Sequence, residues 1–366
     1  MILPYQCLMD AVYGKQPIVL TAEYPDIANK QIQAATIDCR LGERIFRMSA
    51  SMIPQPNEKV SELIKKYGIY DFKIKEGSVL EPNAVYIVPL REELKLPKEF
   101  FAVFSPKSSI GRVDVFVRVL SDGFSRYDVV SSGYQGKLYL EIIPLSFLVG
   151  IAPAIELTQL RIKSKDSFLS NEELRLAHIK SGLVYSNNEL LKSDEIVLQN
   201  GSIQFHIDLS EREIVGFQAK ENPTDKIDLF RKDCYELENF WIPIHKPKNR
   251  EFILTPGNFY LLTTKEGVKI PPEYAAEIVV YDVTAGELRT HYAGFFDPGF
   301  GGERGTNIVL EVRARDVPFR LFDGQPICRM MFEKMLETPE KIYGAEFGSN
   351  YTDAGPSLSK HFKKSW

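Results

Sequence analysis

The chain has 366 residues and a formal net charge of -4, so it has no overall attraction for nucleic acid polyanions. Hydrophobic residues make up 44% and charged residues 26%, which is typical of a globular protein, and the length suits two domains. No apolar run approaches the ~18 residues of a membrane helix and the N-terminus lacks a leader pattern, so we expect a cytoplasmic protein without membrane contact.

A stretch that begins at Leu80 recurs once along the chain. The following residues are repeated at an offset of 174 positions: Leu80, Pro82, Tyr86, Glu92, Lys95, Pro97 and Glu99. Such a constant offset indicates that one structural unit occurs twice. We place the first domain at 1–165 and the second at 201–366, with a connector over 166–200.

A basic segment, residues 105–112, follows an apolar run and contains a proline and a glycine that would break a strand. Ser108 and Ser109 supply hydroxyl groups, and Lys107 and Arg112 supply cations. Exposed amides, hydroxyls and a guanidinium are groups that bind phosphate. A basic turn exposed to solvent is the alternative.

Alternating apolar residues predict strands in both copies, at residues 113–120, 202–209 and 307–314. One helix is predicted, over 170–182, where a serine and a glutamate are spaced as a capping box and a glycine follows as the C-cap. This helix falls in the connector between the copies.

The second copy contains a glycine-rich turn, residues 293–302, with Asp297 at its centre. Four glycines around one aspartate indicate a close approach of the backbone to a ligand. Glu311 lies in the strand that follows. In a pocket, desolvation would raise the pKa of this carboxyl group toward that of a general base, whereas on an open strand it would face solvent.

The C-terminal stretch 348–360 has no apolar period and ends the chain in a basic sequence. Its composition is that of a flexible terminus. A lid that orders over a substrate is the alternative.

Together these segments resemble the dCTP deaminase and dUTPase superfamily, over nearly the whole chain. Residues 107–112 resemble its phosphate motif, 293–300 its nucleoside-binding turn, and 309–311 the strand with the deaminase glutamate. Residues 348–360 resemble its C-terminal lid and 37–42 an early strand. The resemblance implies an all-β fold of two tandem dUTPase-like domains, each a distorted jelly roll or β-clip, with a short helical connector.

The two copies keep different parts of the family site. In the first copy residues 131–134 replace the nucleoside turn and lack its aspartate, although Glu141 stands at the position of Glu311. In the second copy residues 284–289 replace the phosphate motif. Because family sites lie between neighbouring domains, the resemblance implies one composite site per chain, with Glu141 as a relic.

The resemblance implies hydrolytic deamination of dCTP, with the triphosphate bound as its Mg²⁺ complex by the first-copy motif. Asp297 would accept a hydrogen bond from the 3′-hydroxyl, Phe296 or Phe300 would pack near the deoxyribose, and Glu311 would be the general base. Further implied contacts come from the turn, the strand and the lid: Gly299, Val309, Leu310, Tyr351 and Lys360.

Zinc-dependent deaminases hold their metal with a His/Cys/Cys site. Here no two cysteines lie closer than 32 residues and the five histidines are scattered, so we expect no protein-bound zinc.

Two alternatives stay open. A dUTP diphosphatase, or an enzyme that performs both steps, would act at the α-phosphate and could use Asp297 to orient water. A nucleotide sensor would keep the pocket without turnover. A composite site requires unlike copies to meet within a chain or between chains, and we expect a homo-oligomer.

Overall fold

Strands dominate the computed structural model, which describes residues 1–21, 29–279, 288–290, 294–314, 316–344, 347 and 356–363. We call residues 1–165 the first half, 166–366 the second half, and 356–363 the tail. The helices are α1 (Tyr5–Tyr13), α2 (Val60–Tyr67), α3 (Ser108–Gly111), α4 (Asn171–Ser181) and α5 (Leu237–Phe240), with a 3₁₀ turn at Asn29–Gln31.

The first-half strands are β1 (Val19–Thr21), β2 (Ile37–Arg40), β3 (Arg44–Met48), β4 (Gly68–Lys73), β5 (Ser78–Leu80), β6 (Val85–Lys95), β7 (Phe101–Pro106), β8 (Val115–Ser121), β9 (Val129–Val130), β10 (Gln135–Pro144), β11 (Val149–Ile151) and β12 (Glu156–Lys163). The second-half strands are β13 (Val184–Ser186), β14 (Glu189–Leu190), β15 (Leu198–Gln199), β16 (Ser202–His206), β17 (Ile214–Ala219), β18 (Ile227–Asp228), β19 (Trp241–His245), β20 (Glu251–Leu254), β21 (Tyr260–Val268), β22 (Tyr274–Val279), β23 (Leu288–Thr290), β24 (Phe295–Phe296), β25 (Thr306–Ala314), β26 (Phe319–Phe322) and β27 (Pro326–Lys334).

The two halves repeat one strand order. The path β4-β3-β6-β10-β8 of the first half corresponds to β19-β17-β21-β25-β23 of the second. The sheet β2-β12-β7-β9 corresponds in the same way to β16-β27-β22-β24. The internal repeat predicted from the sequence is therefore also present in the topology.

The strand register makes the two glutamates equivalent. Glu141 of β10 lies opposite Ile87 of β6, and Glu311 of β25 lies opposite Leu261 of β21. Ile87 and Leu261 are 174 positions apart, which is the offset of the sequence repeat. Glu141 and Glu311 thus occupy the same place in the two copies.

The predicted helix in the connector is confirmed as α4. The hydroxyl of Ser170 accepts a hydrogen bond from the amide of Glu173, whose carboxylate accepts from the amide of Ser170, and Gly182 ends the helix with a φ of 66°. The rest of the connector is not helical, because β13 pairs with β21. The prediction of one helix is incomplete, since α1 and α2 have no capping side chain that a sequence pattern would reveal.

The three predicted strands are confirmed as β8, β16 and β25, with shifted ends. Strand β8 starts only at Val115 because Asp114 has a φ of 56°, outside the extended region.

Two large apolar cores hold the molecule together. The second core contains second-half residues only. The first core joins first-half strands to second-half residues such as Phe217, Phe240 and Trp241 and to Phe362 of the tail. Phe147 of the first half makes edge contacts with Phe240 and Trp241, at centroid distances of 5.8 and 5.4 Å. The halves are therefore packed together by apolar side chains.

Candidate functional site

A cavity of about 570 Å³ is lined by residues of both halves and of the tail. This volume lies in the range of small-molecule sites. The predicted site residues that line it are Lys107, Ser108, Ser109, Arg112, Phe296, Asp297, Phe300, Val309, Glu311 and Lys360. The structure thus brings residues that are far apart in sequence into one cavity within a single chain.

The predicted phosphate segment forms the end of β7 and the short turn α3. The ammonium group of Lys107 forms ion pairs with the carboxylates of Asp38 and, at 3.5 Å, of Glu156. Burial by itself would lower the pKa of Lys107, but the two carboxylates outweigh it and the pKa is raised. Lys107 therefore remains a cation at the cavity wall.

The tail packs directly on this segment. Arg112 is 8% exposed, and its Nη1 donates to the carbonyl oxygen and the hydroxyl of Ser357, at 2.9 and 2.6 Å. The hydroxyl of Ser359 donates to the carbonyl oxygen of Ser109 at 2.7 Å. Of the stretch predicted to be either a flexible terminus or a lid, residues 356–360 thus contact the phosphate segment, and residues 348–355 lie outside the described residues. Tyr351, predicted to bind substrate, lies outside the described residues.

Lysine side chains gather at one part of the cavity wall. Burial, together with repulsion from Lys107 and Lys232, lowers the pKa of Lys360 to about 8. Lys232 belongs to a loop that holds the tail, since the amide of Asp233 donates to the carbonyl oxygen of Lys360 at 3.1 Å. Clustered, partly desolvated ammonium groups are suited to an anionic ligand.

Asp297 of the second half is fixed by side chains of the first half. Its Oδ1 accepts from Nη2 of Arg161 at 3.0 Å, and its Oδ2 accepts from the hydroxyl of Thr36 at 3.2 Å. Arg161 is 1% exposed and lies over the ring of Phe295, 4.0 Å from its centroid. The carboxylate at the centre of the glycine-rich turn is therefore preorganised by a buried cation.

The aromatic side chains of the turn form one wall of the cavity. Phe296 and Phe300 meet edge to face with centroids 4.9 Å apart, and Phe300 contacts Tyr343 at 5.8 Å. Gly299, which is not among the lining residues, has a φ of 94°, and a Cβ there would lie 3.0 Å from the amide nitrogen of Tyr343. This glycine shapes the turn, whereas the phenyl rings face the ligand space.

Glu311 reaches the cavity because alternate residues of β25 face opposite sides. Asn307, Val309 and Glu311 line the cavity, as does Ile308, whereas Leu310 does not line it and has its side chain buried in the second core. The predicted substrate contact of Leu310 therefore does not involve its side chain. Glu311 is 4% exposed and lies against Gly111 of the phosphate segment.

The counterpart of Glu311 in the first half is sealed. Glu141 is fully buried and accepts a hydrogen bond from the hydroxyl of Ser51 at 2.9 Å. Burial raises the pKa of this carboxyl group. Residues 131–134, which replace the nucleoside turn, are largely exposed. Of the other replaced motif, residues 284–287 lie outside the described residues.

Sequence reasoning missed several residues that shape the site. Arg161 and Glu156 are two of the three charged residues of β12, the third being Lys163, and a charged residue within a strand is the signal that marked Glu311. Thr36 and Lys232 carry no local signal of a role, because their importance comes from tertiary contacts. Asp38 lies in the segment 37–42 that resembles an early family strand, but the resemblance gave it no site role. No group of three metal-ligating side chains occurs among the residues that the structure describes.

A membrane-spanning helix is also absent from the described part of the chain, whose helices are too short or too polar to cross a bilayer.

Comparisons with known proteins cover both halves. The family model for the 2′-deoxycytidine 5′-triphosphate deaminase N-terminal domain matches residues 2–166, and that for the C-terminal domain matches residues 170–362. The chain is similar to a dUMP-forming dCTP deaminase of Methanosphaera stadtmanae, with 37% identity over 40% of this chain and 72% of the relative. It is similar to a dCTP deaminase of Natronomonas pharaonis, with 31% identity over 47% of this chain and 85% of the relative.

A solved structure resembles nearly the whole chain. The crystal structure of a 2′-deoxycytidine 5′-triphosphate deaminase from Agrobacterium tumefaciens superposes with a TM-score of 0.85 at 36% identity. The match covers 95% of this chain and 99% of that one.

Proposed function

The chain belongs to the family of 2′-deoxycytidine 5′-triphosphate deaminases and deaminates dCTP to dUTP, and we propose that it does so in the cavity between its halves with Glu311 as the general base. The observation that carries this assignment is the shared cavity, in which the second-half glutamate lies against the first-half phosphate segment. We also propose that each half is a dUTPase-like domain of the jelly-roll or β-clip type, which the repeated strand order supports.

The triphosphate binds at the wall formed by Lys107, Ser108, Ser109, Arg112 and Lys360. A guanidinium and two ammonium groups offset the charge of the nucleotide, and hydroxyls complete the contacts. The triphosphate also competes with Asp38 and Glu156 for the ammonium group of Lys107, since the carboxylates hold it before substrate arrives. Mg²⁺ enters as part of the substrate.

The nucleoside binds at the opposite wall. Asp297, held by Arg161 and Thr36, accepts the hydrogen bond of the 3′-hydroxyl through its remaining lone pairs. Phe296 and Phe300 pack beside the deoxyribose and leave a 2′-hydroxyl without a hydrogen-bond partner, which disfavours ribonucleotides.

Glu311 takes a proton from a water molecule while the oxygen of this water attacks C4 of the cytosine. The resulting tetrahedral centre carries the new hydroxyl and the original amino group. The attack opens the C4–N3 double bond and leaves its electron pair on N3. The proton then passes from Glu311 to the amino group, the exocyclic C4–N bond breaks and ammonia leaves. The hydroxyl proton moves to N3, so that dUTP forms with its C4 carbonyl and N3–H. The proposed route uses no protein-bound zinc, so chelation with phenanthroline is expected to leave turnover unchanged.

Ammonia release from dCTP tests the assignment. We expect Glu311→Gln to lower kcat by roughly 10²–10⁴-fold, the contribution typical of a positioned base, while dCTP still binds. Glu303→Gln is the matched control, because Glu303 is an exposed residue shortly before the same strand. Full activity of the Glu311→Gln enzyme would rule out Glu311 as the base.

A second candidate is a bifunctional enzyme that also hydrolyses dUTP to dUMP and pyrophosphate. It is favoured by the similarity to the Methanosphaera stadtmanae protein, which is named for dUMP formation. In this reaction Asp297 would orient water at the α-phosphate. Equal amounts of ammonia and pyrophosphate from dCTP, and pyrophosphate from added dUTP, would establish it, whereas accumulation of dUTP alone would exclude it.

A further inference from the structure

An ion pair between a buried carboxylate and a partly buried guanidinium joins the two halves beside the cavity. Asp114 of the first half is fully buried, and its carboxylate accepts from Nη2 and, at 3.3 Å, from Nε of Arg313 of the second half. The hydroxyl of Ser146 donates to Asp114 at 2.6 Å and accepts from Arg313 at 3.0 Å. Arg313 also donates to the carbonyl oxygen of Gly257 at 2.5 Å and lies over the ring of Phe259. The pair is thus held on several sides.

Each member of this pair lies close in sequence to a residue of the proposed site. Asp114 follows Arg112 by two residues and is tied to the same turn, since its amide donates to the carbonyl oxygen of Gly111 at 2.8 Å. Arg313 follows Glu311 by two residues on the same face of β25, a separation of roughly 7 Å along a strand. A movement of Asp114 relative to Arg313 would therefore move Arg112 relative to Glu311.

We propose that Asp114 and Arg313 are positioning residues, which set the distance between the phosphate-binding turn and the catalytic glutamate. The inference rests on the proposed function of Glu311. Neither side chain lines the cavity that contains Glu311, so both act through their neighbours rather than on the substrate. A pair of this kind fixes one arrangement of two elements, because separating its charges leaves the fully buried carboxylate of Asp114 without a compensating cation.

The role predicts a specific kinetic signature. In Asp114→Asn and in Arg313→Gln, we expect kcat to fall by roughly 10- to 100-fold, the cost of a misplacement of about 1 Å, with a smaller change in KM. The acidic limb of the kcat–pH profile should move in opposite directions in these two variants, relative to the wild-type chain. Asp114→Asn leaves the Arg313 charge uncompensated and favours ionised Glu311, so the limb moves to lower pH; Arg313→Gln removes that cation and moves the limb to higher pH.

Other charged groups near Glu311 stay the same in every variant, so they do not produce the opposite shifts. Those that line the cavity are Lys30, Asp38, Lys107, Arg112, Glu156, Lys232, Asp297 and Lys360.

Two further variants distinguish a positioning effect from a loss of folding. Arg313→Lys keeps the charge and should recover most of kcat, and Ser146→Ala removes one supporting hydroxyl and should give an intermediate loss. Arg320→Gln is the matched control, because Arg320 forms an exposed ion pair with Glu251 away from the cavity. Folded enzyme is counted by dCTP binding, so that kcat refers to competent sites only.

The outcomes separate this proposal from the assignment of Glu311. If Glu311→Gln retains activity, the proposed base is wrong and the positioning role falls with it. If Glu311→Gln is inactive but Asp114→Asn and Arg313→Gln keep kcat per folded site, the pair is merely structural. A limb that stays fixed, or moves the same way in both variants, also overturns the proposal.

Discussion

At the scale of single residues, Gly111 is what lets the phosphate turn lie against Glu311. A Cβ at this position would lie 2.7 Å from the carboxyl carbon of Glu311, well inside contact distance. We expect Gly111→Ala to displace the glutamate and lower kcat on the order of 10²-fold. Ammonia release measures the loss.

A control for this substitution is Gly324→Ala, since Gly324 has a φ of 79° and an added Cβ would meet nothing within 4 Å. That variant should lose about 1 kcal/mol of unfolding free energy through backbone strain and keep its activity. Wild-type kcat in Gly111→Ala would show that the glutamate tolerates the displacement.

Lys360 gives the site a predicted pH dependence. Burial and the neighbouring lysines lower its pKa to about 8, so the side chain is a cation below this pH and neutral above it. The attraction for a triphosphate should weaken accordingly, and the KM for dCTP should rise as the pH passes through about 8. The terminal phosphate of the substrate is already ionised there.

Lys360→Arg should flatten this rise in KM, because a guanidinium stays protonated throughout the range. Lys248→Arg, at an exposed position, serves as the control and should keep the wild-type profile. An unchanged KM across the pH range in the wild-type chain would remove Lys360 from triphosphate binding.

At the scale of elements, the tail is fastened at its far end. Phe362 packs edge to face against Phe240 and Trp241, with ring centroids 5.6 and 6.0 Å away. The neighbouring amide of Lys363 donates to the carbonyl oxygen of Tyr235. Phe362→Ala should lower the unfolding free energy by about 3–5 kcal/mol and release the tail, since a buried aromatic anchor is lost.

The release should raise the KM for dCTP, because Lys360 and the contacts of the tail with Arg112 and Ser109 depend on the same segment. Hydrogen exchange of residues 356–363 measures the release directly. Unaltered protection of this segment in the variant would contradict the anchoring role. Leu336→Ala, at a partly exposed surface position, should change neither quantity.

The sequence predicts those elements whose causes are local. The capping box of Ser170 and Glu173 defines the start of α4, and the alternation in β25 places Glu311 on one face. Helix α1 escapes prediction because Pro4 offers no capping side chain. Local composition singled out Arg112 and Asp297 as candidates, and the resemblance to a family implied their roles. Arg161 and Thr36, which hold Asp297, were not predicted because strands far apart in the sequence bring them there.

At the scale of the whole molecule, the first core runs through both halves, so we expect them to unfold together. In a Trp366→Phe variant, Trp241 is the only tryptophan and reports on the contact between the halves. Its fluorescence and the far-ultraviolet circular dichroism should follow one urea transition. Two separated transitions would show that the halves are independent units.

The assembly of several chains stays a prediction. The described residues that line the cavity come from both halves of a single chain, so a second copy is not needed to bring these residues together. Light scattering of the purified protein tests whether it forms the expected homo-oligomer.

The burial of Glu141, whose carboxylate accepts a hydrogen bond from Ser51, bears on how many nucleotides one chain binds. Although the strand framework is duplicated, only one of the two equivalent acids opens onto ligand space. A calorimetric titration with dCTP on the Glu311→Gln chain should therefore saturate at one mole of nucleotide per 41.7 kDa of polypeptide, half the value expected from counting repeats. The duplication would thus have given the chain a second strand framework without a second nucleotide site.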